Sequence, residues 1–234
     1  MPRREAAGAG SPGALIAVGE VRAWSCAPPE IGVPRLLRIH KYTDPSKVRP
    51  LIVEAAEKAL IEAAALSAPT ARCVVVEIES LRDGELRLDG GVIINCPAFD
   101  ERLAGCDRLL AFLMTLGPDL DAKVRSLVED VFEPLDALFL ETAGWLTIEA
   151  ATRAMAAELR AEAARSGSTM SLRMGPGYEY RLHNGGRRVR WDLTEQAAIF
   201  RLFDGCDLPM ELLPSCAMTP KMSRSGIFGL ARAD

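Results

Sequence analysis

Ser215-Cys-Ala-Met-Thr-Pro-Lys-Met-Ser-Arg-Ser-Gly226 sets one proline between two methionines and follows them with two serines. Ser223 and Ser225 are two residues apart, so on an extended strand their hydroxyls face the same side and can meet one polar edge of a ligand. Met218 and Met222 add adaptable apolar surface. A methionine-rich turn with capping serines explains the same residues, and the segment taken alone favours that structural interpretation.

A second unusual segment, Arg173-Met-Gly-Pro-Gly-Tyr178, lies about forty residues earlier. Gly175 and Gly177 permit backbone conformations and close approaches that a Cβ atom would prevent. Pro176 restricts the residue before it to extended geometry. Such a loop can present peptide N–H and C=O groups to a polar small molecule, and Arg173 can hold a carboxylate through two parallel hydrogen bonds. By itself, a Gly-Pro-Gly tripeptide is more often only a turn.

Together the two segments resemble the S-adenosylmethionine-binding core of the reactivation domain of cobalamin-dependent methionine synthase. In that family an R-x-x-P-G-Y-like segment and a downstream A-M-x-P-x-x-S-x-S-G segment line the pocket. The matching residues here are Arg173, Pro176, Gly177 and Tyr178, then Ala217, Met218, Pro220, Ser223, Ser225 and Gly226. The resemblance is specific from Arg173 to Phe228, with an apolar helix between the two segments as in the family.

The resemblance implies a set of site residues and the groups they meet. Residues expected at S-adenosylmethionine are Arg173, Gly175, Gly177, Tyr178, Ser223, Ser225 and Phe228. Arg173 would pair with the methionine carboxylate, and the backbone of 175–177 would bond the adenosine side. Phe228 stands where the family has an aromatic residue. The resemblance implies no catalytic side chain and no metal ligand, and cobalamin would be met only through a partner protein.

The function implied is reactivation of a corrinoid enzyme. The chain would bind S-adenosylmethionine and support reductive methylation of the cob(II)alamin form of a corrinoid-dependent methyltransferase, with methionine synthase lacking its own activation domain as the leading partner. Flavodoxin or ferredoxin would supply the electron. The protein itself would act by positioning, which removes much of the entropic barrier.

Two alternatives remain open. One is a non-catalytic module that senses S-adenosylmethionine or docks on a corrinoid protein. The other is an interaction protein that keeps the fold but has lost the ligand. Pro214 follows Leu213 where the family commonly has Thr-Glu, and Phe228 stands in place of a possible tyrosine. These two departures favour the ligand-free alternative.

Composition narrows the class of protein. The chain has 234 residues, 49% of them hydrophobic and 26% charged, as expected of a soluble globular protein. A net charge of −4 argues against nucleic-acid binding, and no apolar run is long enough for a membrane span. None of the six cysteines forms a C-x-x-C pair, which predicts reduced, buried thiols and a cytoplasmic location. His40 and His183 are too far apart for a zinc site.

Arg181 to Arg190 form a short basic stretch with two glycines. A solvated hairpin tip is the favoured interpretation over a nucleic-acid patch, because the chain as a whole is acidic. Docking of a partner's acidic surface is a further alternative.

Hydrophobic periodicity and turn residues predict an α+β fold, a twisted, mostly antiparallel sheet with flanking helices. We predict a disordered leader at 1–13 and one activation-domain-like domain at 14–234, helix-rich over 44–167 and site-bearing over 168–230. Strands are predicted at 35–42, 73–78, 85–88, 92–95 and 109–116. Helices are predicted at 47–65, 118–132, 135–165 and 192–203, with Gly144 allowing close helix packing.

Overall fold

The computed structural model describes residues 15–129, 132–183 and 186–233. The leader predicted for residues 1–13 lies outside these ranges. The helices are α1 Val33–Ile39, α2 Pro50–Leu66, α3 Phe99–Arg102, α4 Asp119–Glu129, α5 Pro134–Arg165 and α6 Gln196–Arg201. The strands are β1 Val21–Ser25, β2 Thr70–Arg82, β3 Glu85–Leu88, β4 Val92–Asn95, β5 Arg108–Thr115, β6 Ser168–Met170, β7 Glu179–Arg181, β8 Arg188–Arg190, β9 Glu211–Leu212, β10 Met218–Thr219 and β11 Ser223–Arg232.

The main sheet is a curled antiparallel half-barrel, which confirms the predicted α+β class. Its strands run in the order β4, β3, β2, β5, β11 and β6, with β1 beside the first half of β2. Strands β5 and β11 are neighbours in a register that places Ser223 opposite Thr115. Two small ribbons, β7 with β8 and β9 with β10, stand outside this sheet.

Both faces of the sheet are buried, and this explains the continuous apolar sequence of β5. Side chains alternate across a strand. One set faces the side of the helices α1, α2, α4 and α5: Leu110, Phe112 and Met114. The other set packs with α3, α6, Trp191 and Phe203: Leu109, Ala111 and Leu113. The sheet therefore separates two apolar cores.

The long helix α5 packs closely on α4 at its one glycine. A Cβ on Gly144 would clash with the side chains of Leu120 and Met222. Leu120 belongs to α4, and Met222 directly precedes β11. The predicted role of Gly144 in close helix packing is confirmed.

Most predicted elements are present, but one is wrong. The segment 35–42, predicted as a strand, contributes instead to α1, which has a proline in its first turn and buries Leu36 and Leu37 between exposed or half-buried neighbours. The strands β1, β6, β9, β10 and β11 and the short helix α3 were not predicted. Helix α4 ends at Glu129, and residues 130–131 at the end of the predicted helix lie outside the described ranges.

All six cysteines are free thiols. Only Cys73 and Cys96 are buried, and the other four are half-buried, so the predicted burial holds for two of them. Burial raises the pKa of the Cys73 thiol to about 12 and that of the Cys96 thiol to about 11. Within the described ranges, none of the helices is both long enough and apolar enough to cross a bilayer.

Candidate ligand-binding site

The two unusual segments of the sequence lie side by side in the structure. After β6, the chain continues along the edge of β11, where the Ser171 N–H donates to the Gly229 carbonyl at 2.9 Å. Met174 and Ile227 then exchange two backbone hydrogen bonds of 2.9 and 2.8 Å. The 173–178 loop therefore extends the edge of β11, whose first residues belong to the second segment.

Two glycines make this close approach possible. A Cβ on Gly226 would lie 2.7 Å from the Met174 carbonyl oxygen and 2.7 Å from the Phe112 ring, far inside van der Waals contact. Across from it, Gly175 lies beside the Ser225 carbonyl oxygen, only 3.2 Å from where its Cβ would stand. The backbones of the two segments can meet here because Gly226 lacks a side chain, and the absence of one at Gly175 relieves a further tight contact.

The loop itself is held by backbone bonds to the strands that follow it. Gly177 has a φ of +85°, a left-handed conformation that favours glycine. Its N–H donates to the Trp191 carbonyl at 2.8 Å, and the Trp191 N–H donates to the Tyr178 carbonyl at 3.0 Å. The turn between Pro176 and Tyr178 is thus fixed against Trp191, which is fully buried.

Gly175 uses its polar groups on a protein partner. The Tyr180 hydroxyl accepts from the Gly175 N–H at 2.7 Å and donates to the Gly175 carbonyl at 3.0 Å. Burial raises the pKa of Tyr180, so the hydroxyl keeps its proton for this bond. A ligand that bonds Gly175 would therefore use the second lone pair of its carbonyl or displace Tyr180.

Arg173 is the residue of this loop that is ready for an anion. Its guanidinium carbon lies 5.3 Å from the centre of the Tyr178 ring, a cation–π contact. Its Nη1 atom is buried, and among the described residues it has no hydrogen-bond partner. Buried donors are normally satisfied, and a guanidinium pairs most strongly with a carboxylate. The unpaired donor fits the carboxylate contact expected of Arg173.

A charged pair that sequence analysis missed lies nearby. Arg224, with a side chain only 10% exposed, donates from Nη1 to Glu149 of α5 at 2.9 Å. Burial acts to raise the pKa of Glu149, but the Arg224 hydrogen bond and the charges of Arg224, Arg153 and Arg173 outweigh it and lower the pKa. Glu149 is therefore an ionised carboxylate within the electrostatic range of Arg173. Its only sequence signal is a lone acid in the middle of an apolar stretch of α5.

The two serines face one side of β11, as their spacing predicts, and both are buried. The Ser223 hydroxyl donates to the Pro220 carbonyl at 2.6 Å and lies 2.9 Å from the Thr115 hydroxyl. The Ser225 hydroxyl donates to Gln196 of α6 at 2.9 Å. These bonds tie β11 to its neighbours. A ligand contact from either serine stays a prediction.

Phe228 is separated from the serines. It lies on the opposite face of β11, 1% exposed, and stacks on Phe112 with ring centres 5.7 Å apart. The structure brings Arg173, Gly175, Gly177 and Tyr178 together in one loop, with Tyr178 45% exposed, but it places the Phe228 ring inside the helix-side core. The expected contact of Phe228 with a ligand is not tested by this arrangement.

An open cleft of about 620 Å³ lies beside the loop. It is lined by Glu101, Arg102, Leu172, Arg173, Met174, Glu179, Tyr180, Arg181 and His183. His183 lies at its rim, 75% exposed, and contacts Glu101 through its ring and its N–H. Across the three described ranges, no group of three or more metal-ligating side chains is present. The arrangement has the character of a binding site for a charged small molecule.

Comparison with solved structures identifies a related fold. The crystal structure of the MetH reactivation domain bound to AdoHcy superimposes with a TM-score of 0.62 and 16% sequence identity, covering 94% of this chain and 81% of that chain. The fold is that of the MetH reactivation domain. No family model matches the chain, and a search of curated proteins finds no match. The relationship to the MetH reactivation domain is thus one of fold.

Proposed function

We propose that this chain binds S-adenosylmethionine at the 173–178 loop and supports the reductive methylation of the cob(II)alamin form of a corrinoid-dependent methyltransferase. Methionine synthase lacking its own activation domain is the leading partner. The observation that carries the proposal is the buried Nη1 of Arg173, which has no hydrogen-bond partner in the described part of the chain, at a glycine loop that lies against β11. The related fold supports it, because the MetH reactivation domain was solved with AdoHcy bound.

The charges near the loop suit the amino-acid end of this ligand. Arg173 would take the carboxylate through its free donor. Glu149, kept ionised by Arg224, offers negative charge for the ammonium or sulfonium group. The two charges of opposite sign would orient a zwitterion, and a neutral nucleoside would gain neither contact.

The reaction needs little covalent chemistry from the protein. One electron from a donor such as flavodoxin or ferredoxin converts the partner's cob(II)alamin to cob(I)alamin, which then takes the methyl group from the sulfonium and leaves S-adenosylhomocysteine. This chain's residues would hold the sulfonium in line with the partner's cobalt, and such positioning lowers the entropic part of the barrier. A proton acceptor is not required for that transfer.

The first experiment is calorimetric titration with S-adenosylmethionine. We expect binding by the wild type and a loss of roughly tenfold to a hundredfold in affinity for Arg173→Ala, because a charged hydrogen bond is removed. Arg173→Lys should recover only part of it, since lysine cannot form the two-pronged contact. Arg49→Ala, on exposed surface at the start of α2, is the matched control and should bind as the wild type does. Absence of binding at millimolar ligand would contradict the proposal.

A second candidate is a docking module that has lost either ligand binding or the ability to support methyl transfer. Two observations favour this candidate: Tyr180 bonds the backbone N–H and carbonyl of Gly175, and the Phe228 ring is buried. The resemblance assigns both Gly175 and Phe228 to the ligand. Single-turnover methylation of a reduced corrinoid partner separates the candidates. Transfer of the methyl group supports the reactivation role, whereas ligand binding without transfer supports the sensing or docking module.

A further inference from the structure

A separate open groove of about 440 Å³ lies in the helical layer of the protein. One wall is a single face of α2, where Glu57, Leu60, Ile61 and Ala64 follow one another at intervals of three and four residues. Ile61 is 72% exposed, whereas the alanines of α2 that face the sheet are buried in the helix-side core. This wall therefore presents apolar surface to solvent, together with one carboxylate.

The facing wall is the segment between β1 and α1, which has no regular secondary structure. Pro28 and Pro29 lie at its start, and Ile31 and Val33 add apolar side chains beside Glu30. Proline fixes its own φ and has no N–H, so this wall is stiff and its first two residues offer only carbonyl acceptors. The groove is therefore formed before any ligand arrives, as most small-molecule sites are.

The polar side chains of the groove offer only acceptors to a ligand. Glu30 and Glu57 are exposed carboxylates, one on each wall, and within the described ranges neither forms an ion pair. The Thr147 hydroxyl, from α5, donates its proton to the Ala143 carbonyl at 2.9 Å, so its oxygen can only accept. Among the described residues that line the groove, none has a basic side chain. The lining is thus complementary to a group that carries positive charge and N–H donors.

We propose that this groove binds a small hydrophobic amine in its protonated form. The apolar body of such a ligand would cover Val33, Leu60 and Ile61, which removes their surface from water. Its ammonium group brings three donors and a positive charge to a site whose polar side chains are acceptors. A carboxylate ligand would meet two like charges, and a neutral ligand would gain no ion pair. The volume of the groove lies within the range of small-molecule sites.

The groove and the 173–178 loop use different sides of α5. Thr147 and Glu149 are two residues apart, so their side chains point roughly 200° apart around the helix axis. Thr147 lines the groove, whereas Glu149 pairs with Arg224 of β11. The amine site is therefore independent of the proposed function, and each can fail without the other.

The test is calorimetric titration of the full chain, at pH 7 and low salt, with three ligands of matched shape: 4-phenylbutylamine, 4-phenylbutanol and 4-phenylbutyrate. We expect the amine to bind about fivefold to tenfold more tightly than the alcohol, because it adds two exposed ion pairs. The carboxylate should bind more weakly than the alcohol. Glu30→Gln combined with Glu57→Gln should lower the amine's affinity to about that of the alcohol and leave the alcohol's affinity unchanged.

Two further variants separate the groove from the rest of the surface. Ala64→Phe, at an exposed position of α2, fills the groove and should weaken both the amine and the alcohol by about tenfold or more. Asp204→Asn combined with Glu211→Gln makes the same change in net charge at exposed positions near the core on the α6 side. This control should bind the amine within about twofold of the wild type. Thermal unfolding without ligand shows that each variant is folded.

Equal affinity for the amine and the alcohol, or an amine affinity that the glutamine variants leave unchanged, would overturn the proposal. So would the absence of amine binding at millimolar concentration. A dimer that Ala64→Phe dissociates would overturn it too, because a second copy would then cover the groove. Competition between the amine and S-adenosylmethionine that Arg173→Ala abolishes would assign the amine to the 173–178 loop instead.

Discussion

The Tyr180 hydroxyl makes two hydrogen bonds to the backbone of Gly175: it accepts from the N–H at 2.7 Å and donates to the carbonyl at 3.0 Å. One side-chain hydroxyl therefore satisfies both polar groups of a buried glycine. The bond joins the ribbon of β7 and β8 to the 173–178 loop, so the loop's shape depends on a residue beyond the motif.

Replacement of this hydroxyl tests that dependence. We expect Tyr180→Phe to lower the free energy of unfolding by about 1–3 kcal/mol, because a buried N–H loses its partner. Urea denaturation measures the change, and S-adenosylmethionine titration shows whether the loosened loop still binds. Tyr42→Phe, on the exposed turn after α1, should match the wild type. An unaltered unfolding midpoint in Tyr180→Phe would show that the hydroxyl does not hold the loop.

Gly226 sets the distance between the two segments of the candidate site. We expect Gly226→Ala to cost about 1–3 kcal/mol or more, because the added methyl group would overlap the Met174 carbonyl oxygen and the Phe112 ring. The loop must move away from β11, so ligand affinity should fall as well. Gly32→Ala is the control, since the nearest atom to its Cβ would be 3.7 Å away. Thermal unfolding of the two variants, each compared with the wild type, measures the predicted loss of stability.

Glu149 makes part of the protein's folding stability depend on pH. Its pKa in the folded state lies below the ordinary value of 4.5, against the effect of burial, chiefly because Arg224 bonds the ionised form. A lowered carboxyl pKa contributes stability that is fully present above the unfolded-state pKa and is lost as the pH falls through the folded-state value. The window in which this contribution disappears therefore lies below pH 4.5.

Glu149→Gln should remove that part of the pH dependence. We expect the variant to be less stable than the wild type at pH 7, since Arg224 is left without its carboxylate, and the difference should shrink as the pH falls below 4.5. Urea midpoints at several pH values give the two curves. Glu179→Gln, an exposed partner of Arg188, is the control and should leave the curve almost unchanged. Parallel curves for wild type and Glu149→Gln would exclude the assigned role.

Much of the fold was predictable because turn residues and hydrophobic patterns involve residues that are close together in the sequence. The Asp83-Gly84 turn and the alternation at 85–88 are local signals for the hairpin of β2 and β3, and the apolar run at 109–116 is a local signal for β5. Helix α1 was mistaken for a strand because seven residues give too little periodicity to separate the two. The proline in its first turn was the available signal.

Of the candidate site, only the residues in the segments 173–178 and 215–226 could be predicted from the sequence. The motif residues Arg173 to Tyr178 stood out because glycine and proline have special backbone requirements. Glu149, 75 positions before its partner Arg224, meets it only through tertiary packing. The burial of Phe228 in the helix-side core could not be predicted from the motif either, because alternation assigns it to a face only once the register of β11 is known.

Strand β11 lies between β5 and the edge formed by β6 and the 171–174 segment, and its register pairs Thr115 with Ser223, 108 positions later. During synthesis on the ribosome, strands β1 to β5 can assemble early, but the edge that carries the 173–178 loop has nothing to attach to until β11 has emerged. Contacts of such high sequence separation form slowly. The candidate site should therefore be among the last parts of the molecule to mature, and a nascent chain halted before residue 223 should lack the support of the 173–178 loop and should not bind the proposed ligand.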